Sequence, residues 1–98
     1  MNIEDHLEKV QEGCKRFDIR HLYLIGSVAS GKNTGDSDVD FLVSFNDLSS
    51  DGIADRYFGF LDFLKEELHS NVDLIEESAI RNPFFRNSVN RNKKLIYG

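Results

Sequence analysis

Residues 38–45, Asp-Val-Asp-Phe-Leu-Val-Ser-Phe, change character at almost every step. In an extended chain Val39, Phe41, Val43 and Phe45 share one face, and Asp38, Asp40, Leu42 and Ser44 share the other. A strand with one apolar face has to be covered, and the rest of the chain supplies the cover. Ile3, Leu7, Val10, Cys14 and Phe17 make one apolar stripe on a helix, with Asn2 placed to cap it and Asp5 in its first turn. A second helix is expected over residues 53–69. Its Ile53, Tyr57, Phe58, Phe60, Leu61, Phe63, Leu64 and Leu68 exceed what a single stripe needs. Such a helix is either sandwiched in the core or carries an aromatic patch that docks a partner protein.

The remaining segments complete a small layered fold. His21 to Ile25 reads as a strand stopped by Gly26, and Lys32 to Ser37 is turn chemistry. Asn46 to Gly52 is a loop, and Asn71 to Glu76 is a third strand. Asn82-Pro83 has the form of a helix cap with proline at the first helical position, and Leu95-Ile96-Tyr97 reads as a short edge strand. This order predicts an α+β fold: a mixed sheet of three to four strands with helices packed on one face.

With 98 residues the chain is expected to form one domain, residues 1–98, with little room for a second substrate domain. No apolar run approaches the ~18–20 residues that span a bilayer, and the acidic start Met1-Asn2-Ile3-Glu4-Asp5 is unlike a signal peptide. The single Cys14 supports no internal disulfide, which makes a cytoplasmic location the expectation. Cys14, His6, His21 and His69 are too scattered for a zinc site. A net charge of −5 argues against general nucleic-acid binding. That charge is uneven. Residues 1–80 carry seven basic and seventeen acidic side chains, whereas Arg81, Arg86, Arg91, Lys93 and Lys94 stand in residues 81–98 with no acid among them. The basic end is either a solvated tail or a surface for an acidic partner or phosphates.

Asp38 and Asp40 leave the same face of their strand with about 6–7 Å between Cα atoms, a spacing that suits two carboxylates converging on Mg²⁺. Asp-x-Asp alone is a weak signal, because one face of many antiparallel sheets is simply solvated. Its surroundings strengthen it. Upstream, a strand ends in Gly26-Ser27, where the backbone can approach a phosphate and a hydroxyl and N–H groups can hold it. Downstream, Asp73 sits in the next strand and completes a triangle of acids if that strand is a neighbour. A phosphate grip beside three carboxylates is what transfer at phosphorus requires.

Gly26-Ser27, ten intervening residues, then Asp38-Val39-Asp40 with Ser37 before it, and the later Val72-Asp73-Leu74 resemble the signature of the polymerase-β-like nucleotidyltransferase superfamily. The short length resembles its minimal (MNT) branch, and the likeness runs over nearly the whole chain. The resemblance implies transfer of a nucleoside monophosphate, AMP from ATP in the first instance, onto an acceptor hydroxyl. It implies that Gly26 and Ser27, with Ser37 beside them, bind the nucleotide phosphates. Asp38 and Asp40 would bind Mg²⁺, two ions in all, with Mn²⁺ as a substitute. Asp73 would join the metal site and help deprotonate the acceptor. Members of the branch commonly neutralise a HEPN-type toxin, some by adenylylating one of its tyrosines, so the resemblance implies an antitoxin with a HEPN partner. One departure stands out. The family often has Gly-Ser-x-Ala-Arg-Gly, whereas this chain has Gly26-Ser27-Val28-Ala29-Ser30-Gly31, with Lys32 as the nearest replacement cation.

Gly26 to Asn33 also nearly matches a P-loop, but Asn33 lacks the metal-binding hydroxyl and Thr34-Gly35-Asp36-Ser37 turns into a strand instead of opening a helix. The serious rival is a subunit of the same fold that masks its partner by binding alone.

Overall fold

The computed structural model describes residues 3–26, 39–47 and 51–98. After a 3-10 turn at Ile3–His6, the elements are α1 (Leu7–Arg16), β1 (Ile19–Ile25), β2 (Val39–Phe45), α2 (Ile53–Leu68), β3 (Val72–Glu76), α3 (Pro83–Asn92) and β4 (Lys94–Tyr97), with a second 3-10 turn at Glu77–Ala79. The strands form one mixed sheet in the order β3-β2-β1-β4. β1 runs antiparallel to both β2 and β4, and β2 is parallel to β3, the connection being made through α2.

The alternation in β2 sorts as its sequence requires. Val39, Phe41, Val43 and Phe45 are all buried and face α1 and α2. Val10 and Cys14 of α1 and Phe60, Leu64 and Leu68 of α2 close over them. The two helices approach closely because Gly13 has no side chain: a Cβ there would lie 2.2 Å from the Phe63 ring. Phe17 packs against Phe60 and Phe63 at centroid distances of 5.7 and 6.1 Å, and the His6 ring nitrogen meets the Glu67 carboxylate at 2.9 Å. At the other end of the sheet Arg56 donates to the carbonyls of Asn46 and Asp47, at 2.8 and 2.9 Å, and pairs with Asp18. This joins the entry to β1 with the exit from β2.

The expectation of helices on one face holds for α1 and α2, while α3 takes the opposite face. That face is not wholly polar. Ile25, Leu42, Ile80 and Val89 form a second, smaller apolar cluster there, with Tyr23 and Ile75 against it, and among the described residues α3 covers it. The basic end is therefore folded rather than a tail, as α3 and β4. Lys93 places its ammonium 4.3 Å from the Tyr23 ring centre. The helix over 53–69 is mainly core. Among its aromatics only Phe58 is largely exposed, at 61%. The expected Asn2 cap lies outside the described residues, and the helix there opens as a 3-10 turn. Among the described residues no helix is long and apolar enough to cross a membrane.

Candidate active site

Asp40 stands near the start of β2 and Asp73 near the start of β3. Because the two strands are parallel and in register, Asp40 and Asp73 are direct partners across the ladder. Registered neighbours in a sheet point the same way, about 4.8 Å apart. Both carboxylates thus leave the face opposite the main core, with Asp40 half-buried and Asp73 exposed. On the other side of β2, Ile25 pairs with Asp40, and the chain turns at Gly26 with φ +76°. A Cβ at Gly26 would lie 2.6 Å from Asp40 Oδ2, so the close approach of backbone to carboxylate depends on glycine. Gly26, Asp40 and Asp73 line one cavity of about 300 Å³, together with Ile25, Ile75 and the α3 residues Phe85, Ser88, Val89 and Asn92.

Of the residues expected from sequence, the fold brings Gly26, Asp40 and Asp73 together. Asp38, Ser27, Lys32 and Ser37 lie outside the described residues. Among the described residues no group of three His, Cys, Asp or Glu gathers as a metal site. The donors present still fit a hard divalent cation: two adjacent carboxylates offer oxygen ligands, and like charges side by side on a sheet are unfavourable without a cation between them.

Two contributions were not singled out from sequence. The α3 wall of the cavity comes from Phe85, Ser88, Val89 and Asn92, which share one helical face. The signal was the Asn82-Pro83 start, from which that spacing can be counted. The second is Tyr57, read only as an apolar helix residue. Its hydroxyl donates to the carbonyl of Leu74, next to Asp73 on the edge strand β3. Burial and then the Asp73 charge raise the Tyr57 pKa, so the phenol keeps the proton it donates.

The comparison with known families falls on this same arrangement. The nucleotidyltransferase domain matches the chain from residue 7 to residue 96. This chain belongs to the nucleotidyltransferase domain family. Two candidate protein adenylyltransferases of Methanocaldococcus jannaschii are 30% and 32% identical to it, each over 97% of this chain and 93% of the relative. These two relatives thus match the nucleotidyltransferase along almost its whole length. Among solved structures, a candidate minimal nucleotidyltransferase superposes with TM-score 0.78 at 27% identity, covering 94% of this chain and 90% of the other. That likeness supports the minimal branch of the family. The fold is shared further with a Shewanella oneidensis complex of a tri-AMPylated HEPN toxin and its MNT antitoxin. There the TM-score is 0.67 at 21% identity, over 97% of this chain and 71% of the other.

Proposed function

We propose that this nucleotidyltransferase transfers AMP from ATP to a tyrosine hydroxyl of a HEPN-type toxin and so acts as its antitoxin. The observation that carries the reading is the registered pair Asp40–Asp73 beside the Gly26 turn, all three lining one cavity. The adenylyltransferase names of its relatives and the AMPylated toxin in the Shewanella complex support the choice of reaction and acceptor.

In this reading the triphosphate binds at the Gly26 turn, and Ser27, Lys32 and Ser37 would be its phosphate ligands. The acceptor oxygen forms its bond to the α-phosphorus in line with the bond that breaks, and pyrophosphate leaves with that electron pair. Asp73 takes the acceptor proton. A tyrosine hydroxyl, with an ordinary pKa near 10, gives up its proton more readily than serine or threonine. Asp38, Asp40 and Asp73 would hold Mg²⁺, which supplies neutralisation of the phosphate charge when bound. The residues' own share is to fix the phosphates, the acceptor oxygen and its proton in one geometry.

Intact mass of the HEPN-type partner, measured after incubation with ATP and Mg²⁺, tests the proposal. Whole AMP increments are expected with the wild type. Asp73→Asn, and separately the double change Asp38→Asn with Asp40→Asn, should lower the rate by about a thousandfold or more while the complex still forms. Tight binding with no mass gain in the wild type would leave the masking subunit, a reading favoured by Ser30 where the family often has arginine.

A further inference from the structure

Two of the three largely exposed phenylalanines stand side by side at the start of α3, the third being Phe58 of α2. Phe84 is 82% exposed and Phe85 44%. The backbone that carries them is fixed. The Asn82 side chain accepts from the N–H groups of Phe84 and Phe85, at 2.9 and 3.3 Å, and Arg86 donates to the Ile80 carbonyl at 2.9 Å. Pro83 fixes the first helical position. A capped turn that presents two rings to solvent is a prepared apolar surface, since rigid aromatics lose little freedom on contact.

Where that surface stands follows from the path of the chain. β3 and β4 are opposite edges of the sheet, and α3 connects them across the open face. β3 ends at Glu76, so α3 starts by that end of the sheet, where Arg86 lies with Glu76 and Glu77, and runs back toward the Gly26 end of β1, where β4 begins. Both ends border the same cavity, through Phe85 and Asn92. Two flat rings take part in the proposed reaction, the purine of ATP and the phenol of the acceptor. In the proposed reaction the phosphates belong to Gly26 and the acceptor proton to Asp73, so Phe85, in the turn of α3 farther from Gly26 but lining the cavity with Asp73, is on the acceptor's side.

The geometry points to Phe85 as a specificity-determining residue whose ring packs against the phenol of the acceptor tyrosine and sets its hydroxyl beside Asp73. Phe84 meets the residues that flank the tyrosine. Arg81 and Arg86, on either side of the turn, favour an acidic flanking segment. Serine offers no ring to the platform and a hydroxyl too close to its own backbone to reach past Phe85. This inference rests on the adenylyltransferase reading above.

The test uses two acidic probe peptides, Glu-Glu-Tyr-Glu-Glu and Glu-Glu-Ser-Glu-Glu, with ATP and Mg²⁺, and compares the wild type with Phe85→Leu and Phe84→Leu. The wild type should adenylylate the tyrosine peptide and strongly prefer it. Phe85→Leu should raise KM for that peptide by about tenfold, the scale of one lost aromatic contact, and reduce the preference over serine. Phe84→Leu should raise KM by a smaller factor. Calorimetric affinity for ATP with Mg²⁺ should be the same in all three proteins. Weaker ATP binding by Phe85→Leu with an unaltered tyrosine preference would assign the ring to the purine and overturn the inference, as would a variant indistinguishable from wild type. If the wild type modifies the HEPN-type partner but neither peptide, the platform fails and the adenylyltransferase reading stands. If it modifies none of them, both fail.

Discussion

The two faces of the sheet are built from the same strands and do different work. The face toward α1 and α2 is apolar along its length, from Ile19, Leu22 and Leu24 of β1 to Val72 and Leu74 of β3. The face toward α3 holds a small apolar cluster and then gives way to Asp40 and Asp73. A period of two places these properties on alternate residues, so chemistry and core are neighbours in sequence and opposites in space. Substitutions on the first face should cost stability, and those on the second should cost activity.

Phe60→Ala should give the largest effect on stability. The ring is fully buried between Phe17 and Phe63, and its removal should cost about 3–5 kcal/mol, read as a lower urea midpoint. A loss below about 1 kcal/mol would mean that the covered face is not the main source of stability. Cys14, on the same face, makes a prediction in pH. Burial pushes its thiol up to about 12, from an ordinary 9.0. Unfolded chains then release this proton at lower pH than folded ones do. The cysteine's share of stability is intact below pH 9 and falls as pH rises toward 12, at most about 1.4 kcal/mol per pH unit. Denaturation of wild type and Cys14→Ala across pH 8–10.5 should diverge in that direction; parallel curves would contradict the burial.

Gly26→Ala probes the other face. The added Cβ at φ +76° would collide with Asp40, and a cost of about 1–2 kcal/mol is expected. On the function proposed above, the fall in nucleotidyl transfer should be out of proportion to that cost. Equal fractional losses of stability and activity would blur the division between faces. Tyr57→Phe is the smallest and the most informative, because Tyr57 belongs to the covered side yet bonds next to Asp73. It should lose about 1 kcal/mol of stability and lower kcat a few-fold, with ATP affinity unchanged. An unaltered kcat would show that the Leu74 carbonyl needs no anchor for Asp73 to work.

Much of this was legible in the chain. Alternation in residues 39–45 gave the strand and its two faces, and the Asn82-Pro83 pair gave the start of α3. The pairing of Asp40 with Asp73 could be stated from sequence only as a condition. Whether β3 lies beside β2, and in which direction, depends on the long connection through α2 and not on any local pattern. The position of α3 was hidden for a related reason. Phe84 and Phe85 look like core residues by composition, yet Val89 is the buried position of that helix, Phe84 faces solvent and Phe85 lines the cavity half-exposed. β1 began two residues earlier than its aliphatic run because Ile19 and Arg20 join the sheet at a register shift, which is a property of the partner strand as much as of these residues.

The pairing of β1 with β4 has a kinetic side. Tyr23 meets Leu95, so that contact closes a loop over most of the chain, and it ties down the end of α3, whose middle is held by Val89 in the smaller apolar cluster. Loop closure over such a range is slow, so this contact is expected late in folding. The wall that α3 gives the cleft is therefore held from its far end, by a strand whose Ile96 lies in the main core and whose Ile96 carbonyl accepts from Gln11 of α1, so the cleft is finished only when both faces of the sheet are.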